Sequence, residues 1–99
     1  MYGIVFKLNH ELLTHHYGFS ASSQMYDTIK PVLSNYGFSC YQDGMYFGNV
    51  PRVNAVSCVL AVMDLAKHHP QFASFVEDVR MLRIEENNDL MPAVQKAAE

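Results

Sequence analysis

Phe38-Ser39-Cys40-Tyr41-Gln42-Asp43-Gly44-Met45-Tyr46-Phe47-Gly48-Asn49-Val50 is two short strand-like runs, 38–42 and 45–50, hinged on Asp43-Gly44. Asp-Gly tolerates positive φ at both central positions, so the stretch predicts a type I′ hairpin and two antiparallel neighbouring strands. Everything else about the fold depends on what flanks that hairpin.

Upstream, Met25, Ile29, Val32, Leu33 and Tyr36 fall on one helical stripe. Ser22 or Ser23 is available as its N-cap and Gly37 as its stop. Pro31 lies inside this helix, where it removes the bond to the Asp27 carbonyl and predicts a kink. Downstream, Pro51 suits the first turn of a second helix. Val53, Val56, Leu60 and Met63 recur along it with Val59, Val62 and Ala66 alongside, which predicts a broad and mostly buried helix ended by His68-His69-Pro70. Further out, residues 2–8 are dense in β-branched and aromatic side chains and read as a strand, with Tyr2, Ile4, Phe6 and Leu8 on one face and Val5 and Lys7 on the other. Glu11, Leu12 and Leu13 could open a helical turn, but His15, His16, Gly18 and the serines predict an irregular loop from Asn9 to Ser22. A short segment around Phe72 to Phe75 precedes a last strand over 79–84, and the tail from Asn88 predicts a helix with Asp89 near its start and Lys96 near its end.

Strand, helix, strand, strand, helix, strand is the α+β, ferredoxin-like βαββαβ order, here a single domain over residues 1–99 with a four-stranded antiparallel sheet and a C-terminal extension. In that topology the first strand is central, between the third and fourth. Lys7, the Asp43-Gly44 turn and Asp78 are therefore expected at one edge, with Lys7 meeting Asp78. No helix is left for the second sheet face, where Val5 is apolar, so a homodimer is the simplest way to bury it.

Composition narrows the function classes. A hydrophobic share of 49% against 17% charged suits one compact core. A net charge of -3 and a pI near 5.9 argue against a broad basic surface that wraps nucleic acid, while leaving room for a local basic site. Met1 to Leu8 lacks the basic and apolar regions of a signal peptide and no apolar run reaches spanning length, so the expected location is cytoplasmic, away from membranes. Cys40 and Cys58 have no metal-ligand spacing and are expected as small buried apolar residues. His15-His16 and His68-His69 are adjacent pairs whose rings point apart, with no carboxylate or Cys completing a metal pattern.

Phe6-Lys7-Leu8, Gly37-Phe38 followed by Gln42, and the stretch from Tyr46 to Asn49 carry a family resemblance. The strongest block is Val76-Glu77-Asp78-Val79-Arg80-Met81-Leu82-Arg83-Ile84-Glu85, against V-R-D-I-R-A-F-R-I-E. The chain resembles, over most of its length, the virulence-associated protein D family of small toxin-like endoribonucleases, whose fold is similar to the small nuclease subunit of the CRISPR adaptation complex. The resemblance implies a homodimeric toxin of a toxin-antitoxin system that cleaves mRNA, with a protein antitoxin as partner. Two departures fall where the chemistry would be. The family has Asp at the place of Lys7, and its Q-G-S hairpin is Gln42-Asp43-Gly44 here, without the serine hydroxyl.

Cutting RNA takes either a divalent cation such as magnesium held by carboxylates, or a base and an acid. Asp78, Lys7 and His10 are the catalytic candidates: Asp78 or His10 to move the proton, Lys7 to bind phosphate or stabilise developing charge. The competing reading makes Lys7-Asp78 a structural ion pair in a protein that no longer cuts, a non-catalytic dimeric module binding RNA or an antitoxin. Arg80 and Arg83 are candidates for RNA phosphates, or else ion-pair partners of Glu77 or Glu85. Asp43 and Gly44 complete the RNA-binding candidates, Asp43 also as a substitute for the missing strand-one carboxylate. Tyr41, Tyr46 and Phe47 have the chemistry to stack on bases, and equally that of core or dimer contacts.

Overall fold

The computed structural model describes residues 1–99. Its first strand, β1 (Tyr2–Leu8), alternates as the sequence predicts: Ile4, Phe6 and Leu8 are buried and Lys7 is exposed. After it come α1 (His10–Tyr17), α2 (Ala21–Asn35), β2 (Ser39–Gln42), β3 (Met45–Gly48), α3 (Ala55–His68), α4 (Pro70–Phe75), β4 (Val76–Arg83) and α5 (Met91–Ala97). The sheet order is β2-β3-β1-β4 and every pairing is antiparallel, the ferredoxin-like arrangement with β1 in the interior. No helix is long and apolar enough to cross a membrane.

One face of the sheet carries the core. Ile4, Phe6, Leu8 and Tyr46 pack against Leu13 of α1, Met25, Ile29 and Leu33 of α2, and Cys58, Ala61 and Leu65 of α3. Each such large apolar side chain contributes about 1.5–3 kcal/mol by leaving water, so this cluster is the main force ordering the strand ends. The stripe on α2 closes with Gly37 at φ 95, whose neighbour Phe38 donates its N–H to the Leu33 carbonyl at 3.1 Å.

Several sequence expectations are corrected. Residues 10–17 are helical, not a loop: the Asn9 side chain accepts from the Leu12 N–H at 3.0 Å, Leu13 is buried, and Gly18 at φ 98 closes the turn. The three histidines, weak helix formers, were outweighed by the cap and one buried leucine. That shift moves the α2 N-cap to Ser20, leaving Ser22 inside the helix, and α2 runs on through Pro31. The α3 cap is Asn54, in a reciprocal capping box with Ser57, so Pro51 lies before the helix and not in its first turn. α3 buries only Cys58, Ala61 and Leu65, while Val56, Val59, Leu60 and Met63 stay exposed. Positive φ occurs at Gly44 but not at Asp43, which excludes type I′ geometry; a register shift between Cys40 and Gln42 adjusts the pairing instead. Cys40 is exposed, and only Cys58 is buried.

Candidate active site

The end of β1 is where the sequence placed its chemistry. Lys7 and Asp78 are Cα partners in the β1–β4 ladder, and the register then shifts so that Leu8 pairs with Val76. Glu77 is the extra residue of that irregularity. Lys7 Nζ consequently lies 3.6 Å from Glu77 Oε2, and the expected Lys7-Asp78 ion pair does not form. Asp78 is held by Arg80 instead, whose Nε donates to both carboxylate oxygens at 3.2 and 3.0 Å. These two residues are two apart on one strand and so share a face. All four charged groups are exposed, so neither pair is held rigidly.

The hairpin reaches the same end. The Phe6 N–H donates to the Gly44 carbonyl at 2.9 Å, and a Cβ at Gly44 would come within 2.6 Å of the Phe6 carbonyl oxygen. Only glycine permits that approach. The charge of Asp43 is felt by the phenols of Tyr26 and Tyr46, on the helix-covered side: burial first, then Asp43, raises Tyr26 above its ordinary value. Burial chiefly raises Tyr46, with Cys40 and Asp43 adding to it.

His10 opens α1 on that side. Its Nδ1 is 2.7 Å from Ser22 Oγ and its Nε2 is 3.4 Å from the Tyr26 hydroxyl. The Tyr26 ring lies 6.1 Å from the imidazole and 6.2 Å from Phe6, which connects His10 to the end of β1. Sequence reasoning offered Ser22 only as an N-cap and did not single out Tyr26. The available signal was their spacing, i and i+4, which puts both on one face of a helix.

Arg83 is not part of this cluster. It pairs with Tyr2, five positions along β1 from Lys7, or roughly 16 Å at ~3.3 Å per residue, and alternation puts it on the opposite face from Arg80. Tyr46 is core, stacked on Phe6 at 6.0 Å, whereas Tyr41 and Phe47 lie 5.4 Å apart on the face away from the helices.

The residues present do not make a magnesium site. Glu77 and Asp78 are each engaged by a cationic side chain, and nowhere do three His, Cys, Asp or Glu residues stand together to hold a metal ion. The arrangement provides an imidazole bound by neutral hydroxyls on one side of the β1 terminus, and two exposed cations paired with two carboxylates on the other.

No protein-family model matches the chain. Among curated proteins, it is 43% identical over 94 residues to Endoribonuclease VapD 2 of Riemerella anatipestifer, covering 95% of this chain and 99% of that one. It is also 51% identical over 73 residues to Endoribonuclease VapD homolog of Helicobacter pylori, covering 74% of this chain and 76% of that one. Identity of this order, sustained over nearly the full length of both chains in the first case, shows that this chain belongs to the VapD endoribonuclease family.

Proposed function

We propose that this chain is an endoribonuclease of the toxin-antitoxin kind, cleaving mRNA in the cytoplasm as a homodimer that a protein antitoxin holds in check. The observation that carries this reading is the relative named an endoribonuclease that matches 94 residues at 43% identity. The cluster at the end of β1 supports it with the right chemistry. In this reading His10 is the base, Lys7 and Arg80 attract the phosphate backbone, and Asp78 orients Arg80 or handles a proton. The Gly44 backbone brings the hairpin close enough for Asp43 to border the bound strand. Arg83, on the other face and at the other end, is left outside the site.

A loose, exposed Lys7 favours a working role over a structural one, since a 3.6 Å pair can be exchanged for a phosphate at little cost. The second reading, a non-cutting module that keeps the binding surface, draws on the same residue: where the family has a carboxylate, this chain has a cation.

Incubating the purified chain with single-stranded and structured RNA distinguishes the two. Cleavage by the unmodified protein that is lost in His10→Ala or Asp78→Asn supports the enzyme. Cleavage gained only in Lys7→Asp supports the silent module, and RNA binding without cleavage in any variant removes the nuclease assignment.

A further inference from the structure

The His10–Ser22–Tyr26 cluster is the one place where an imidazole has both ring nitrogens facing neutral hydroxyls. The other histidine with a side-chain partner, His68, is bound to the carboxylate of Asp64. We infer that Ser22 and Tyr26 are positioning residues that hold the His10 imidazole with Nε2 as the proton acceptor, so that RNA is cut by the 2′-hydroxyl next to the scissile phosphate. This deepens the endoribonuclease reading and rests on it.

The two contacts are unequal. Ser22 Oγ at 2.7 Å is a full hydrogen bond, and the Tyr26 hydroxyl at 3.4 Å is a loose one. A phenol in a partly buried site beside Asp43 stays protonated and acts as a donor. Donation to Nε2 leaves the ring proton on Nδ1, which passes its hydrogen bond to Ser22 Oγ. The long contact is the one a substrate hydroxyl can replace, freeing Tyr26 to donate to a non-bridging phosphate oxygen. His10 itself is exposed, while Ser22 and Tyr26 are half-buried and fixed on α2, so the holders are rigid and the held group is reachable.

The step balances without a co-reactant. The 2′-oxygen gives its proton to Nε2 as it bonds to phosphorus, the bond from phosphorus to the 5′-oxygen breaks, and the imidazolium returns the proton to that oxygen through water. The products are a 2′,3′-cyclic phosphate and a 5′-hydroxyl. Substrates are confined to ribose chains, and no metal is required, in keeping with the lack of a converging carboxylate set.

The test is single-turnover cleavage of a short RNA by the full chain in the presence of EDTA, alongside the same sequence with 2′-deoxyribose. The expected result is a cyclic-phosphate product from RNA alone. Ser22→Ala should lower the rate on the order of 10²-fold with KM unchanged, and Ser22→Thr should restore it. Imidazole ¹⁵N shifts give a readout that does not depend on activity: His10 should show the Nδ1–H tautomer in the unmodified chain and a mixture in Ser22→Ala. Unchanged shifts, a 3′-hydroxyl product, or Ser22→Ala and Tyr26→Phe cutting at the normal rate would overturn the inference while leaving the nuclease reading standing. An unmodified chain that cuts no RNA, with or without magnesium, overturns both.

Discussion

Lys7 and Asp78 face each other across the β1–β4 ladder, yet Lys7 binds Glu77 at 3.6 Å while Asp78 is taken by Arg80. The register irregularity beside Lys7 turns a simple cross-strand pair into two separate pairs and keeps two carboxylates within reach of one edge. Replacing Lys7 by an alanine should therefore change stability by less than about 1 kcal/mol, the usual worth of an exposed pair. Lys7→Asp is different, because it removes the cation and adds a third carboxylate. Its melting temperature should be below that of the unmodified chain and should rise with millimolar magnesium, whereas the unmodified chain should not respond. Thermal melts with and without magnesium check both expectations.

Gly44 is the other fixed point at this end of the sheet. It sits at φ 82, and an added Cβ would meet the Phe6 carbonyl oxygen at 2.6 Å. Both the backbone conformation and the lack of space oppose any side chain. Gly44→Ala should cost about 1–3 kcal/mol in denaturant unfolding, the range for a strained backbone residue. It should also reduce any RNA cleavage, because the hairpin can relieve the clash only by moving away from β1.

The ladder and the core were legible because period-2 alternation in β1 and the Met25, Ile29, Leu33 stripe in α2 are direct images of burial. The topology followed from the element order, and it correctly placed Lys7 opposite Asp78. The side-chain pairing was not legible, since an irregularity in one strand leaves no mark in a pattern of polar and apolar residues. α1 was missed for a related reason: its stability comes from the Asn9 cap and the burial of Leu13 against the rest of the core, not from local propensity. Missing α1 hid the His10 cluster as well, because it is as a helix that residues 10–17 lead back to α2, where His10 meets Ser22 and Tyr26.

Asp64 of α3 ties that helix to the residue just past the end of α2 by accepting from the Tyr36 hydroxyl at 2.7 Å while binding His68 Nδ1 at 2.5 Å. The Tyr36 bond first, and His68 second, hold its carboxyl below the usual range. Since the folded-state value is the lower one, the stabilisation is complete above the unfolded value of about 4. It is lost as pH falls through the folded-state value. Asp64→Asn should melt at a lower temperature than the unmodified chain at pH 7, and the gap should close in strongly acid solution. The same bond raises the Tyr36 phenol, so that share of the stability is present below about 10 and lost as pH rises beyond the folded-state value. Melts of both proteins across the pH range should show the gap narrowing at each end.

The sheet face away from the core carries the remaining prediction. β1 and β3 place Val5, Met45 and Phe47 there, with Phe47 folded over Gly3, and β4 adds Leu82, which is 41% exposed. Tyr41, 63% exposed, shares a shallow groove with Asn87 to Met91 and Val94, so the apolar residues of α5 extend this face without covering it. A stable association buries about 800 Å² on each partner, so a dimer through this face would have to draw on the apolar residues beside α5 as well as on the strand side chains. Sedimentation at micromolar concentration should find the unmodified chain as a dimer. Leu82→Lys combined with Val94→Lys puts two charges on the open face without touching the buried cluster, and should give a monomer with unchanged helical circular dichroism. Phe47 is unsuitable for the same test because its ring also covers Gly3, and losing it would disturb the sheet itself. A double variant that remains dimeric would mean that the copies meet elsewhere, for which the exposed Val56, Val59, Leu60 and Met63 stripe of α3 is the next surface to charge.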